Sequence, residues 1–582
     1  MTSNALKVFI SDLHGELDVF DFLADRQFGI LHLLIRQQFS SELNESQCAA
    51  IEASAIRLCR AANASQAQLD RTSAVNKEIL FTALFLMVVQ QKAEDESLTI
   101  AIRRWGWLST VHRALSGDAQ LSCTPFSQLV EMLAQNIRTL SAQDFFALAQ
   151  AFAKALFKKL SPELNIVGDI YDRGQDAFAI MERLRGLPNV AIQWGNHDVV
   201  WMGAASGNLA CIAVAVRICL RYGTLDMLHR DYGINLSRLE RFAAKAYGDD
   251  DCAQFTPKGD LNAEEKLRIA RMHKAISIIQ FKLEGKLIAR RPEYAMADRL
   301  LLDKINIANS TVAVGDEVHP LLDSNFPTLD VEQPYRLSEA ERKVAEDLKQ
   351  QFLASAKLTQ HMDILFHRGG MQKKTGDWLL YHACVPVDEQ GEFQPFALAP
   401  ETARGQSLFN FCELEMRRGY LNRMVINDRN ESDIAWFLWC GPHSPLFGKA
   451  RMTTFERYFV ADKQTHKEGK NEYYNLRSNP EFLARVATEL KCSSDQVRIV
   501  NGHVPVKYQS GERPVQANGK LFSIDGGFSM PYRSATGLAG FVLLEALGQI
   551  VLYRVIPNDK SYALEVEYQQ MLKPKAASVP AA

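Results

Sequence analysis

The sequence predicts an α/β fold in which a framework of short strands is interrupted by two mainly helical insertions. Three observations carry that prediction. Six apolar runs of strand length each stop on a polar residue of the metal-ligand type. Gly and Asp bound those runs, as they bound buried strands. Two of the gaps between runs are far longer than a crossover requires, and both carry helical periodicity.

The first run, Val8-Phe9-Ile10, leads into Ser11-Asp12-Leu13-His14. A strand–helix–strand unit needs only about 30 residues, so the stretch 31–160 is read as an insertion. Within it, Ser141-Ala142-Gln143-Asp144 resembles a capping box, and Phe145, Leu148, Phe152 and Leu156 share one face of a helix closed by Pro162. The Ala-rich segments 45–62 and 77–105 read the same way. The second run, Ile166-Val167, ends in Gly168-Asp169-Ile170-Tyr171-Asp172-Arg173-Gly174, and the third, Ala191-Ile192-Gln193-Trp194, in Gly195-Asn196-His197-Asp198.

A second insertion, 216–359, follows. It holds a helical run over 262–284, a Pro-punctuated loop over 314–334, and a helix capped at Ser338-Glu339-Ala340-Glu341 that continues to about Phe352. The fourth run, Leu379-Leu380-Tyr381, stops on His382; the fifth, Val497 to Val500, leads into Asn501-Gly502-His503. The sixth, Leu521-Phe522-Ser523-Ile524, meets Asp525-Gly526-Gly527, read as a turn closing the strand. Segments 1–30, 161–215 and 360–560 thus form the core, and the Ala- and Pro-rich residues 573–582 are expected to be a disordered tail.

Composition narrows the class. At 582 residues and 65.4 kDa, with 47% hydrophobic and 23% charged residues, the chain can bury a large core. A net charge of −2 gives no bulk attraction to nucleic acid or an anionic membrane. The ten cysteines include no Cys-x-x-Cys pair, which suits reduced thiols. The apolar stretch 79–89 falls short of the roughly 20 residues of a membrane span, and a strand near Leu6 leaves no room for a signal peptide. The expectation is a soluble, cytoplasmic protein.

Ligand-type residues just past strand ends are where open α/β sheets place their chemistry. Taken singly, Asp12-x-His14 reads as a loop, Gly168–Gly174 as a turn with a salt bridge, and His382 or His503 as a hydrogen-bonded core residue. Jointly and in order they read as a two-metal phosphoesterase site. Two metals about 3.5–4 Å apart clamp the attacking and leaving oxygens and activate water. Asp169 is the natural bridging carboxylate, Asp12 and His14 serve one metal, and Asn196, His382 and His503 complete the other. Mixed imidazole, carboxylate and amide donors suit Mn, Fe or Zn. His197 is placed to protonate the leaving alkoxide, Asp172 to fix its tautomer, and Arg173 to fork onto phosphate oxygens.

These residues resemble the calcineurin-like metallophosphoesterase superfamily, whose fold is a two-sheet α/β sandwich, and the Arg173 version is similar to its phosphoprotein phosphatase branch. A closer resemblance lies in Trp439-Cys440-Gly441-Pro442-His443-Ser444-Pro445-Leu446-Phe447-Gly448-Lys449, Met452 to Phe459, Asp462 to Glu468, Gly526-Gly527-Phe528-Ser529 and Thr536 to Gly540. Together these are similar to class 3 fructose-1,6-bisphosphatase over nearly the whole chain. The resemblance implies hydrolysis of D-fructose 1,6-bisphosphate to D-fructose 6-phosphate, a gluconeogenic step, with binuclear Mn²⁺ on Asp12, His14, Asp169, Asn196, His382 and His503. It also implies nucleotide or phosphoenolpyruvate effectors, and the large insertions offer surfaces for a homo-oligomer. A bisphosphate needs a second anion pocket, and Lys449, Arg451, Arg457, Lys463 and His466 are the candidates for it; a solvated basic face is the competing reading. A phosphoprotein phosphatase or another phosphomonoesterase on the same metal site is the alternative function, separated from the first by the helically capped block 439–467.

Overall fold

The computed structural model describes residues 6–60, 77–93, 98–100, 131, 135–398, 401–425, 430–492, 494, 496–529, 533, 536–559 and 561–572. The expected tail and parts of the segments 45–62 and 77–105 lie outside them. Two sheets form the centre of this α/β chain. The first holds β1 (Lys7–Ile10), β2 (Glu163–Val167), β3 (Val190–Gln193) and β4 (Gly369–Gly370), all parallel. The second holds β5 (Gln372–Thr375), β6 (Trp378–Tyr381), β7 (Arg498–Asn501), β8 (Val515–Gln516) and β9 (Leu521–Ser523). Strands β10 (Phe541–Ala546), β11 (Gln549–Pro557) and β12 (Tyr562–Met571) return to the first sheet, which runs β12-β11-β10-β1-β2-β3-β4 with β10 antiparallel to β1. The second runs β8-β9-β7-β6-β5, with β6, β7 and β9 parallel.

Strand periodicity of two decides how the sheets meet. Phe9 of β1, Phe541 and Leu543 of β10, and Ile550 and Leu552 of β11 join Trp378 and Leu380 of β6, Val500 of β7 and Phe522 of β9 in one buried cluster. Their alternates Val8, Ile10, Leu379, Tyr381, Ile499, Val542 and Leu544 belong to the main core that takes in the helices. Both faces of these strands are therefore dry, which is why they read as continuous apolar runs. Truncating Phe9 or Phe522 to Ala would cost about 3–5 kcal/mol.

The gaps are helical where the periodicity placed helices. Ser141 caps the Ala142–Lys159 helix by accepting from the Asp144 N–H at 3.2 Å, and Phe145, Leu148, Phe152 and Leu156 are buried. Ser338 and Glu341 cap the Glu339–Ala354 helix reciprocally. The helix expected over 262–284 is Ala263–Arg290, because Leu287 and Ile288 continue its buried face. One expectation is corrected. The Pro-punctuated loop begins with a hairpin, Thr311–Val314 paired with Glu317–Pro320, since Val312 and His319 both have a buried side to fill. The described cysteines are free thiols, and among the described residues no helix is long and apolar enough to cross a membrane.

Candidate active site

Of the seven parallel strands of the two sheets, all but β4 deliver a polar residue at one end. Asp12 and His14 follow β1, Asp169, Asp172 and Arg173 follow β2, and Asn196 and His197 follow β3. From the other sheet, His382 follows β6, His503 follows β7, and Asp525 follows β9. Donor atoms of Asp12, His14 and Asp169 lie within 4.8 Å of one another, and so do those of Asp169, His382 and His503. Asp169 is common to both groups. Asn196 Oδ1 is 3.4 Å from His382 Nε2.

Local backbone explains why these loops need unusual sequences. Asp12, His14, Asp169 and His503 sit at φ of 54°, 49°, 56° and 69°, a left-handed region that costs a non-glycine residue about 1–3 kcal/mol. Glycines stand where the strands crowd the carboxylates. A Cβ on Gly195 would overlap the Asp169 carboxylate, and one on Gly502 would overlap Ser11 and Asp12. Asp198 holds the arrangement together. Its buried carboxylate accepts backbone N–H bonds from Asp169 at 2.9 Å, Ile170 at 2.9 Å, Tyr171 at 3.2 Å and Gly195 at 3.0 Å, locking the loops after β2 and β3 to each other.

The imidazoles of His382, His503 and His197 each have one nitrogen against a protein oxygen. His382 Nδ1 donates to Val167 O at 2.9 Å, which turns Nε2 to Asp169 Oδ2 at 3.4 Å. His503 Nε2 donates to Phe447 O at 2.8 Å, leaving Nδ1 for the cluster. A backbone carbonyl fixing the tautomer is the usual support of a metal-binding histidine. His197 Nδ1 lies 3.1 Å from Asp172 Oδ1, and Asp172 Oδ2 lies 2.9 Å from Arg173 Nε.

The electrostatics show what the cluster needs. Burial, and then the charge of Asp525, push Asp12 well above the ordinary carboxylate range. Burial would also raise Asp169, but His382, His197 and His14 outweigh it and hold Asp169 low. Burial would lower His382, yet Asp169 and Asp12 bring it up to about 10. Burial brings His14 down to about 4 and holds His503 well below its ordinary value. Asp12 and Asp525, both raised by burial, are thus dry carboxylates short of positive charge, while His14 and His503 keep neutral lone pairs. Asp525 Oδ2 is buried without a hydrogen-bond partner. Carboxylate, imidazole and amide donors in this state fit divalent cations.

The cluster floors a cavity of about 480 Å³. A larger cleft of about 730 Å³, at Leu6, Glu163 and Val190, lies at the opposite strand ends and contains none of the candidate ligands. Of the five residues expected to hold a second phosphate, Lys449 and Arg457 line the cavity beside Lys470. The structure does not bring the other three there. Arg451 donates to Lys467 O and Thr465 O, His466 Nε2 lies 3.0 Å from both Glu456 O and Val460 O, and Lys463 extends from an exposed turn. Sequence proximity placed them in one basic run, but chain direction within it sends them elsewhere.

Two cavity cations had no sequence signal. Arg217 and Arg221 belong to the otherwise apolar Leu209–Tyr222 helix, and only tertiary packing turns them inward. Arg217 Nε donates to Gln280 at 2.7 Å and its Nη1 to the Tyr458 hydroxyl at 3.1 Å. Asp525 does close a turn, since Gly527 N donates to its Oδ1 at 3.0 Å, but it also lines the cavity, which the turn reading missed.

A family model described as Firmicute fructose-1,6-bisphosphatase matches residues 3–575. A fructose-1,6-bisphosphatase class 3 of Saccharophagus degradans is 98% identical over 582 residues, the full length of both chains. Two proteins of that description from Clostridium botulinum are more distant. One is 47% identical over 398 residues, 68% of this chain and 60% of its own. The other is 39% identical over 549 residues, 92% of this chain and 80% of its own. No solved structure matches.

Proposed function

This chain belongs to the Firmicute fructose-1,6-bisphosphatase family, and from that premise we propose that two divalent cations held by Asp12, His14, Asp169, Asn196, His382 and His503 serve its reaction. That reaction is hydrolysis of D-fructose 1,6-bisphosphate to D-fructose 6-phosphate and phosphate, which fits a gluconeogenic role. When bound, such a pair supplies a clamp for both reacting oxygens and lowers the pKa of water. Mn²⁺ is the proposed metal, with Fe and Zn compatible with the donors.

The chain's own residues supply the rest. Asp172 Oδ1 stands 3.1 Å from His197 Nδ1, on the side that leaves Nε2 to give a proton to the departing sugar oxygen. Arg173 lines the cavity beside His197, where its fork can grip phosphoryl oxygens. In the same cavity, Lys449, Arg457 and Lys470 form the proposed seat of the phosphate that is not cleaved, with Glu468 holding Lys449 at 2.8 Å and Arg457 at 3.2 Å. The Leu209–Tyr222 helix and the 439–470 block wall this space, which suits a small bisphosphate better than a protein segment.

The observation that carries this reading is the convergence of carboxylates and imidazoles from six strand ends on the floor of a basic cavity. It also supports assigning segments 1–30, 161–215 and 360–560 to a calcineurin-like metallophosphoesterase sandwich, with 31–160 and 216–359 as insertions. The proposal extends to a cytoplasmic setting and to self-association, with nucleotide or phosphoenolpyruvate control. Sedimentation, and assays with each effector, test the last two. The central test is phosphate release from fructose 1,6-bisphosphate, a phosphopeptide and a dinucleoside polyphosphate, each with and without Mn²⁺. Mn²⁺-dependent turnover of the sugar alone is expected; preference for the phosphopeptide would overturn the assignment of the basic wall.

A further inference from the structure

We propose that Arg217 grips the phosphate of the sugar that is not cleaved, and that Tyr458 and Gln280 are positioning residues that set its guanidinium in advance. This rests on the sugar-bisphosphate reading above and adds to its basic wall a residue of the helical insertion.

Arg217 is a buried charge without a counter-charge. It is 7% exposed and lines the cavity. A guanidinium stays protonated wherever it is placed, so burying it is costly unless an anion meets it. Its two partners, Gln280 Oε1 and the Tyr458 hydroxyl, are both neutral, and among the described residues it forms no ion pair. Other dry arginines are paired. Arg477 has Glu512 at 3.2 Å, and Arg299 has Glu284 at 2.8 Å. Arg221, four residues along the same helix, brings a second cation to the same cavity. Like charges at that spacing repel each other, and an anion in the cavity would relieve both.

Hydrogen bonding fixes how Arg217 points. His273 Nδ1 lies 2.8 Å from Phe255 O, and a carbonyl can only accept, so that nitrogen carries the ring proton. Burial brings His273 down to about 3, so the ring is neutral and Nε2 is an acceptor. The Tyr458 hydroxyl, 2.9 Å from Nε2, therefore donates there and turns a lone pair to Arg217 Nη1 at 3.1 Å. Phe255 stacks on the Tyr458 ring at 4.6 Å between centroids, which steadies the phenol. Gln280 acts similarly at Nε. Its Nε2 donates to Glu284 Oε1 at 2.8 Å, which leaves its Oε1 to accept from Arg217 at 2.7 Å. Nη2 is the guanidinium nitrogen left for a ligand. Tyr458 also adjoins Arg457 in the Phe455–Phe459 helix, so the same phenol ties Arg217 to the segment proposed to seat the distal phosphate. A fork set in advance loses less side-chain freedom on binding than a free cation would.

The test uses the full-length protein and two readouts. Calorimetry with D-fructose 6-phosphate, which keeps the phosphate in question, needs no turnover. Kinetics with Mn²⁺ compare fructose 1,6-bisphosphate with an aryl monophosphate. Arg217→Met should bind fructose 6-phosphate about 10–100-fold more weakly and raise KM for the bisphosphate by a similar factor. Its kcat, and its kinetics on the aryl phosphate, should change far less. Tyr458→Phe should weaken binding about three- to tenfold when Arg217 is present and add little to Arg217→Met, because both act through one contact. Wild-type affinity in folded Arg217→Met, equal losses on both substrates, or a Tyr458→Phe loss that adds fully to Arg217→Met would overturn the proposal. A KM effect in Lys449→Ala without one in Arg217→Met would overturn it and leave the distal seat standing. Binding of fructose 6-phosphate that depends on Arg217, in a protein without turnover, would support it and fault the catalytic reading instead. If Arg217→Met does not fold by circular dichroism, Arg217→Lys, which keeps the charge and loses the fork, decides on the same readouts.

Discussion

Lys449 offers the sharpest separation between cations that face the cavity and cations that merely crowd the same segment. Its ammonium lines the cavity, and Glu468 holds it at 2.8 Å. A charge-assisted hydrogen bond to phosphate contributes about 1.5–3 kcal/mol, and the standing partnership with Glu468 places Lys449 near the lower end. Lys449→Ala should therefore raise KM for fructose 1,6-bisphosphate about tenfold. Because the phosphate it is proposed to hold is not the one cleaved, kcat should change by no more than about threefold. The assay is continuous phosphate release at saturating Mn²⁺, run beside an aryl monophosphate that has no second phosphate to lose contact with. On that substrate the variant should match wild type within about twofold. Lys463→Ala and Arg451→Ala serve as controls, since neither side chain reaches the cavity. Equal losses on both substrates, or a Lys463→Ala effect as large as that of Lys449→Ala, would refute the placement of the distal phosphate.

Three further outcomes follow from the geometry. His197→Ala should lower kcat for the sugar by about 10²–10⁴-fold, and by much less for an aryl phosphate whose leaving group needs no proton; a uniform loss would remove His197 from the acid role. Asp169→Asn takes away the carboxylate common to both donor groups, so it should hold fewer than two Mn²⁺ per chain by elemental analysis and lose at least about two orders of magnitude in kcat. Far from the site, burial would raise Glu52, but His32, Arg26 and Arg36 hold it down to about 2. A carboxylate held low when folded stabilises the chain above its unfolded value, near 4.3, and that contribution fades as pH falls toward 2. Glu52→Gln should thus cost about 3 kcal/mol at neutral pH, and the gap to wild type in urea melts should narrow between pH 5 and pH 3; a constant gap would contradict it.

The candidate ligands were legible because each sits where strand periodicity ends, and Asp12, His14, Asp169 and His503 also where an unusual backbone begins. Asp12, Asp169 and His503 announce themselves by the Gly or short polar motif beside them, and Ser141 and Ser338 by the acid three residues on. What failed to show shares a different physical origin. Asp-Gly-Gly is an adequate turn in its own right, so nothing local reveals the second carboxylate oxygen of Asp525. Arg217 sits amid Ile212, Val216 and Ile218, where its direction depends on how the Ala263–Arg290 helix packs against it. Arg451, Lys463 and His466 looked alike with Lys449 because charge is visible in a sequence and side-chain direction is not.

The position of β1 has a consequence for biosynthesis. Among the strands of its sheet this one leaves the ribosome first, yet it lies in the interior, with β2 on one side and β10 on the other. Translation at about 5–20 residues per second means that β10 emerges roughly half a minute to two minutes after β1. Throughout that interval Val8, Phe9 and Ile10 have an unpaired edge that invites the wrong partner. Nascent chains of this protein should need a holding chaperone, and a circular permutant that begins just before β10 should depend on one less.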